Sequence, residues 1–157
     1  TGIPEGIEPV ENFELEPYLG TWYEIARLDH RFERGLSNVT ATYSLRDDGG
    51  VNVVNRGYRA DKGEWDEANG KAFFVDAPDV GRLKVSFFGP FYGAYNVFEL
   101  GNNYEYSLVA GPDRSYLWIL GRAPELPPKL LDELIGKAAA AGFDTSELII
   151  VEHDDVR

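Results

Sequence analysis

Short runs of apolar residues alternating with polar ones follow each other from residue 22 to residue 120, with clusters of Gly, Pro, Asp and Asn between them. Runs of this kind predict strands with one buried face, and the clusters predict turns. Because the turns are short, we expect each strand to pair with the next as an antiparallel neighbour. The pattern predicts eight strands: Trp22–Leu28, Val39–Leu45, Val51–Tyr58, Lys71–Val75, Leu83–Phe88, Ala94–Leu100, Tyr104–Ala110 and Tyr116–Leu120.

The alternation gives way to helical spacing after Pro127 and Pro128. Apolar residues recur from Leu130 to Ala139 at intervals of three and four, and Gly142 follows as a stop signal, so one amphipathic helix is predicted. Residues 148–151 predict a short ninth strand. Residues 1–12 have no periodicity and predict an extended arm, whereas residues 13–157 predict a single domain.

Eight antiparallel strands with short connections fit a closed barrel better than a sandwich, because a sandwich of the immunoglobulin type needs crossovers between its sheets. Closure also leaves no unpaired strand edge. The sequence therefore predicts an all-β protein, an eight-stranded antiparallel up-and-down barrel with one C-terminal helix packed outside it. A barrel of this size is just wide enough to hold one small ligand.

The amino-acid composition of the chain argues against several classes of partner and site. The chain has 15 Lys and Arg against 27 Asp and Glu, a net charge of −12, so we expect no nucleic-acid partner. It has no Cys and 2 His, which excludes a disulfide framework and a thiol nucleophile and argues against a metal site. We expect no cofactor, no metal and no catalysis.

Several motifs resemble those of a known family. Gly20-Thr21-Trp22 is similar to the G-x-W motif of the lipocalins, and Arg122 stands where that family has an arginine after its last barrel strand. Asn102-Asn103-Tyr104 resembles the family's turn before the seventh strand, although the usual Thr-Asp-Tyr is changed. Three further segments resemble the bacterial outer-membrane lipocalins, relatives of the apolipoprotein D group: residues 18–29, 31–36 and 85–93.

The resemblance implies a function and a location. It implies non-catalytic binding, storage or transport of a small hydrophobic ligand, a fatty acid or lysophospholipid, in the barrel cavity. It also implies a bacterial lipoprotein on the periplasmic face of the outer membrane, anchored through a residue absent from this chain, or a protein free in the periplasm. Homodimers occur in this group. Two alternatives stay open: a carrier of a flat aromatic ligand such as haem, bilin or retinoid, and, less favoured, a lipid-modifying enzyme.

The first and last strands of such a barrel are neighbours, so we expect Trp22 to close one end with Arg122 stacked over it, beside Gly20. With Trp22 inside, alternation along each strand predicts the residues that face the cavity. Small side chains such as Ala41 favour a cavity over a solid core. The predicted lining is Ala26, Leu28, Val39, Ala41, Tyr43, Val53, Asn55, Phe74, Leu83, Val85, Phe87, Tyr95, Val97, Tyr106, Leu108, Tyr116 and Trp118.

The loops at the end opposite Trp22 form the predicted mouth. They bring cations to an acidic chain, and a cation beside an apolar mouth is suited to a carboxylate or phosphate. We expect Tyr92, Arg34 and Arg59 to meet the head group of a ligand. Acidic residues in the same loops leave the alternative that these cations form ion pairs instead. Within the barrel, Glu24, Asn55 and Tyr106 are predicted to form a hydrogen-bonded cluster.

Overall fold

The computed structural model describes residues 2–155. Within that range, nine strands form one antiparallel sheet, in the order β2-β3-β4-β5-β6-β7-β8-β1-β9, and β1 also pairs with β2. That extra pairing closes an eight-stranded barrel and leaves β9 outside it, as predicted. The strands are β1 (Gly20–Leu28), β2 (Leu36–Leu45), β3 (Val51–Arg59), β4 (Glu64–Phe74), β5 (Arg82–Phe88), β6 (Phe91–Leu100), β7 (Tyr106–Ala110), β8 (Leu117–Gly121) and β9 (Leu148–Ile150).

Two α-helices and two short 3₁₀ turns accompany the sheet. The predicted C-terminal helix is α2 (Pro128–Ala140), which has proline at its start, where the missing N–H costs no hydrogen bond. A single turn, α1 (Leu15–Tyr18), precedes β1 and escaped prediction because four residues are too few to show a period. The 3₁₀ turns are Asn102–Tyr104 and Thr145–Glu147. No described helix has both the length and the apolar character needed to cross a membrane.

Most observed strands begin or end one to three residues away from the predicted bounds, and two of the differences have a clear physical reason. β4 begins at Glu64 instead of Lys71, and its polar first half pairs in continuous register with β3 from Glu64 to Ala72. This part of the strand is formed by backbone pairing with β3 and has no apolar face. The alternation of apolar and polar residues therefore could not predict it. β7 begins at Tyr106 because the residues before it form a 3₁₀ turn in which Asn103 has a φ of 59°.

Two apolar cores lie on opposite faces of the barrel wall. The inner core fills the barrel around Trp22, Tyr43 and Val97. The outer core lies under α2, where Leu134 and Ala138 are fully buried against the strands. The helix therefore covers the outer face of the wall and packs on the side opposite the inner core.

The N-terminal arm runs along the outside of the barrel for its whole height. Near its start, the buried side chain of Asn96 donates a hydrogen bond to the carbonyl of Gly2, at the open end. Further along, Val10 N–H donates to Val97 O at 2.8 Å and Phe13 N–H donates to Asp79 O at 2.8 Å, at the closed end. The arm is thus an integral part of the folded wall.

Strand β1 changes partners along its length. At the closed end Gly20–Tyr23 pair with β2, whereas Ala26–Leu28 pair with β9. Near the open end β1 and β2 therefore separate, and the segment that follows β9 lies between them, with Asn38 N–H donating to Glu152 O at 2.8 Å. This seam leaves room for polar side chains to enter the barrel from β1.

Candidate ligand-binding site

The closed end of the barrel is built around Trp22. Its side chain is fully buried, and its indole Nε1–H donates to Tyr18 O at 2.8 Å. The Arg122 guanidinium carbon lies 3.7 Å from the Trp22 ring centroid. Arg122 also donates to the carbonyls of Thr21 and Pro17, which fixes the stack to the backbone on both sides. Gly20, at φ 98°, supplies the left-handed residue with which β1 begins.

Above Trp22, three tyrosine hydroxyls and a serine form a buried network. Tyr95 Oη lies 2.7 Å from Tyr18 Oη and 2.9 Å from Tyr43 Oη. Tyr18 Oη also lies 2.9 Å from Ser107 Oγ. Burial raises the pKa of Tyr18 to about 12 and also raises the pKa values of Tyr43 and Tyr95, so all three are neutral over the physiological range. The network can donate and accept hydrogen bonds but carries no charge.

An apolar cavity adjoins this network on the β3–β5 side. Its volume is about 20 Å³, enough for about one water molecule, whereas sites for drug-sized ligands run from about 300 to 1,000 Å³. A lipid chain therefore needs the inner side chains to move apart. The lining residues are Phe13, Leu15, Tyr18, Tyr43, Val51, Ala72, Leu83, Val85 and Tyr95.

Towards the open end, the inner face is lined by small residues. Register pairs Val53 with Gly70 and Val85 with Gly93, so two glycines face the inside where most strands carry a large side chain. β4 pairs with β5 only from Lys71 to Phe74. On the β3–β6 side, two inner positions therefore carry no side chain.

A larger recess lies outside the barrel. It has a volume of about 450 Å³ and separates the arm residues Val10–Asn12 from Phe98–Tyr104 at the end of β6. It opens on the outer surface of the wall, so it is a groove beside the arm and not the barrel cavity.

On the opposite side of the open end, charged side chains enter the barrel. Arg27 is 2% exposed, and its guanidinium donates to Glu24 Oε2 at 3.1 Å, Glu33 O at 2.9 Å and Leu36 O at 3.3 Å. Glu33 belongs to the loop between β1 and β2, residues 29–35, which we call the lid loop. Arg27 therefore bridges the seam between β1 and β2 and holds the lid loop over the mouth.

A second set of contacts holds the lid loop from β8. Trp118 Nε1–H donates to Glu33 Oε1 at 3.0 Å, and His30 Nε2 lies 3.3 Å from the same oxygen. The His30 ring packs against Tyr116 and Trp118, with centroids 5.3 and 5.7 Å apart. Part of the mouth is thus filled by the lid loop itself.

The pKa values of the two glutamates in this cluster are shifted in opposite directions. Burial, reinforced by the neighbouring Glu33 carboxylate, raises the pKa of Glu24 well above its ordinary value. Burial has the same tendency at Glu33, but hydrogen bonds from His30, Glu24 and Trp118 outweigh it and lower the pKa of Glu33. The two carboxyl groups are therefore shifted in opposite directions, so Glu33 loses its proton at a lower pH than Glu24.

Most of the predicted lining residues lie on the inner face. Val97, Tyr43, Val53 and Leu83 are buried in the inner core, and Ala41, Phe74, Val85, Tyr95 and Trp118 pack against it. Asn55 faces the same way because it pairs with Ala41. Val39 lies near Gly57, where a Cβ would approach its side chain to 3.3 Å. Phe87 lies at the rim beside Gly70 and is 38% exposed.

Four predicted lining residues lie on the other side of the wall. Ala26, Leu28 and Leu108 are buried in the outer core under α2, and Tyr106 packs against it. A β-bulge between Glu24 and Ala26 adds one residue to β1, which turns Ala26 and Leu28 outward. The predicted polar cluster is corrected in the same way, because Glu24 bonds to Arg27 instead of meeting Tyr106.

The reversal in β7 has a similar cause. A register shift in β6 between Val97 and Glu99 sets Val97 opposite Val109, so Val109 and Ser107 face inward. These two inner residues were missed, as were Arg27 and Glu33. The opposite charges of Glu24 and Arg27 within an apolar strand were a signal that the strand buries a polar pair. Nothing in the spacing of the lid loop marks Glu33.

The structure brings two of the three predicted head-group residues together, since Arg59 Nη1 donates to Arg34 O at 3.4 Å, and places the third on the β5–β6 hairpin. Tyr92 lies under Lys84, with the ammonium 4.8 Å from the ring centroid, on the outer face of the β5–β6 hairpin because Gly93 faces inward. Arg59 pairs with Asp66 at 2.9 Å, and Arg34 lies 3.3 Å from Asp29. Arg34 therefore forms an ion pair of the kind left open as an alternative, whereas Arg59 pairs with Asp66 of strand β4, outside the loops. Among the described residues, no group of three or more His, Asp and Glu is arranged to hold a metal ion.

Comparison with known proteins fits this architecture. The family profile described as a lipocalin-like domain matches residues 13–153, and the chain belongs to the lipocalin family, whose members are typically binding and transport proteins. Outer membrane lipoprotein Blc of Escherichia coli (strain K12) is 58% identical over 149 residues, which cover 95% of this chain and 84% of that protein. Apolipoprotein D of Bos taurus is 33% identical over 150 residues, 90% of this chain and 78% of that protein. The predicted resemblance is confirmed.

A solved structure shows the same fold at low identity. Insecticyanin from the tobacco hornworm Manduca sexta superimposes with a TM-score of 0.77 at 20% sequence identity, over 98% of this chain and 88% of that one. At this identity the likeness concerns the fold alone.

Proposed function

We propose that this chain binds one fatty acid or lysophospholipid in its barrel and carries it without chemical change. The observation that supports this most directly is the apolar inner face, which combines the Leu83 and Val85 side chains with Gly70 and Gly93 on the β3–β6 side. Each buried methylene contributes about 0.8 kcal/mol, so a long acyl chain can displace loosely packed side chains there.

The polar end of the ligand belongs at the open end. The Arg27 guanidinium is already bonded to Glu24 and to the lid loop, whereas the side chain of Arg34 is 66% exposed and Arg59 is only partly covered by Asp66. An anionic head group would compete with Asp29 and Asp66 for these two arginines. This contact adds selectivity, because exposed ion pairs contribute little affinity.

Carrier function also agrees with how the interior polar groups are used. Ser107 is bonded to Tyr18, and His30 contacts Glu33, so the two groups are engaged in separate structural networks. Hydrolysis by a serine would need a base within hydrogen-bond reach of its hydroxyl. We therefore infer binding and release, without turnover.

The relatives suggest a location. The bacterial proteins with 58% identity are named outer membrane lipoproteins, and they align with this chain over 95% of its length or more. We infer that this chain functions at the periplasmic face of a bacterial outer membrane or in the periplasm. Either location supplies fatty acids and lysophospholipids as products of membrane lipid breakdown.

A pair of variants tests the binding site. Val85→Glu places a charge on the inner face, whereas Lys84→Glu places the same side chain on the outer face of the same strand. We expect titration calorimetry with palmitate and a lysophospholipid to show loss of binding for Val85→Glu and near wild-type affinity for Lys84→Glu. Mass spectrometry of lipid extracted from the purified protein identifies the natural ligand.

Two results would overturn the proposal. If a folded Val85→Glu variant bound palmitate with wild-type affinity, the ligand site would have to lie outside the barrel. Release of free fatty acid or of the head group from the bound lysophospholipid, at more than one equivalent of product for each protein, would make the protein an enzyme.

A further inference from the structure

Three phenylalanines at the open end are exposed to solvent. Phe32, Phe88 and Phe91 are 63%, 73% and 70% exposed, the highest values among the large apolar side chains that the structure describes. Phe32 lies in the lid loop, and the other two flank the β5–β6 turn with ring centroids 6.4 Å apart. A single exposed apolar residue needs no explanation, but three around one rim indicate a surface that meets an apolar partner.

The same rim is electrically neutral on an acidic molecule. The whole chain has a net charge of −12, yet the open-end loops and the strand ends that adjoin them hold five cations and five acids, so these residues do not add to the excess of acid. An approaching anionic surface is repelled least by this end. A second copy of this chain is a less favourable partner, because it carries a net charge of −12 of its own. The loop charges are Arg31, Arg34, Arg59, Lys62 and Arg114 against Asp29, Glu33, Asp61, Glu64 and Asp113.

The N-terminal arm leaves the barrel at the same end. Gly2 lies against Pro112 in the β7–β8 loop, and Arg114 of that loop donates to Glu5 O at 2.6 Å. Any chain that precedes the arm therefore emerges beside the mouth. A membrane attachment upstream of Gly2 would hold the open end of the barrel towards the membrane.

We propose that the open end is a docking surface for a lipid bilayer, with Phe32, Phe88 and Phe91 entering the head-group and acyl boundary. Aromatic side chains are suited to that boundary, and binding there grows with the apolar area buried. The docked rim surrounds the barrel mouth. A lipid chain then passes between the bilayer and the inner face without crossing bulk water.

Vesicle co-sedimentation tests the docking surface. We compare the wild-type protein with a triple variant, Phe32→Ser, Phe88→Ser and Phe91→Ser, on vesicles of phosphatidylethanolamine with a minor fraction of phosphatidylglycerol. The control is Leu45→Ser with Ile150→Ser, whose side chains are 62% and 53% exposed away from the rim. We expect the triple variant to lower the partition coefficient by about tenfold or more and the control to leave it unchanged.

Fluorescence gives an independent measure of insertion. Phe88→Trp adds a reporter at the rim, and Leu45→Trp adds one at the opposite end. We expect lipids brominated on their acyl chains to quench the added emission of Phe88→Trp and not that of Leu45→Trp, each relative to the wild-type background.

Three outcomes would overturn the proposal. The first is failure of the wild-type protein to sediment with vesicles, and the second is equal loss in the triple variant and the control. The third is a wild-type dimer that becomes monomeric in the triple variant while vesicle binding is unchanged, which would assign the rim to a second copy. Palmitate affinity in solution, measured on the same variants, stays constant under the proposal, so failure of the ligand assignment is recognised separately.

Discussion

At the scale of single residues, Trp22 is the side chain around which the closed end of the barrel is built. It fills the base of the inner core and joins α1, β1 and Arg122 through the contacts described above. The G-x-W motif was enough to predict this position, because an indole that closes one end of an eight-stranded barrel has to lie where the first and last strands meet.

Trp22→Ala is expected to lower the free energy of unfolding by about 3 to 5 kcal/mol, the range for removal of a large buried aromatic side chain. Urea denaturation followed by circular dichroism measures the loss. Trp65→Ala is the matched control, since Trp65 lies at the barrel surface, where its ring is 4.1 Å from the Arg56 guanidinium carbon and 5.2 Å from the Tyr58 ring. A loss below about 1 kcal/mol in Trp22→Ala would contradict the role of this residue.

The paired glutamates predict an unusual pH profile. The folded pKa of Glu24 is raised, so its contribution to stability is present below the ordinary value of 4.5 and is lost as pH rises through the raised pKa. The folded pKa of Glu33 is lowered, so its contribution is present above 4.5 and is lost as pH falls. We expect Glu24→Gln to remove the decline on the alkaline side and to leave the acid side unchanged. Urea midpoints measured across the pH range test this, and a profile that keeps its alkaline decline would refute the assignment.

At the scale of elements, the Glu33 carboxylate is one of the groups that hold the lid loop. Glu33→Gln removes the charge that faces Arg27, Trp118 and His30 and keeps the shape of the side chain. We expect a loss of about 1 to 3 kcal/mol, the magnitude for hydrogen bonds to a charged group, together with faster amide hydrogen exchange across residues 29–35. Unchanged exchange in the lid loop would show that the Arg27 bonds to its carbonyls suffice.

Two glycines give opposite predictions for the same substitution. At Gly70 a Cβ would lie 2.6 Å from Ser86 O and 2.8 Å from the Phe87 ring, so Gly70→Ala should destabilise the β4–β5 contact by about 1 to 3 kcal/mol. Gly136 lies in α2 with open space around it, so Gly136→Ala should stabilise the protein by about 1 kcal/mol. Thermal melting of both variants tests the packing on the two sides of the wall, and a shift of the same sign in both would contradict it.

Sequence patterns predicted the strand order but not every side-chain direction. Alternation holds from Val39 to Tyr43 and along β3, where register is regular, and it fails after the bulges in β1 and β6. A bulge depends on how two distant strands meet, and no local pattern records it. Arg27 and Glu33 were missed for that reason, since each depends on the seam between β1 and β2.

At the scale of the whole molecule, the arm and the barrel form one folded unit. Ile7 is 7% exposed within the outer core, and residues 10–13 bond to both β6 and the β4–β5 turn. We expect removal of residues 1–12 to cost about 2 to 4 kcal/mol, because burial of one such apolar side chain alone accounts for about 1.5 to 3 kcal/mol. Calorimetric melting of the truncated chain provides the measurement. A truncated chain that melts with the full-length one would show that the arm is only loosely attached.

The course of the arm also determines how the molecule responds to force. A pull on Gly2 directed away from the wall loads the arm contacts one after another, so the arm peels off from its first residue instead of shearing all its bonds together. Freeing residues 2–13 lengthens the attachment by roughly 40 Å, at about 3.3 Å for each residue. The point at which the released arm joins the folded barrel is then Phe13, at the closed end. A barrel tethered to a surface upstream of Gly2 would face that surface with its mouth while the arm stays bound to the wall. Once the arm is released, the mouth would face away from the surface.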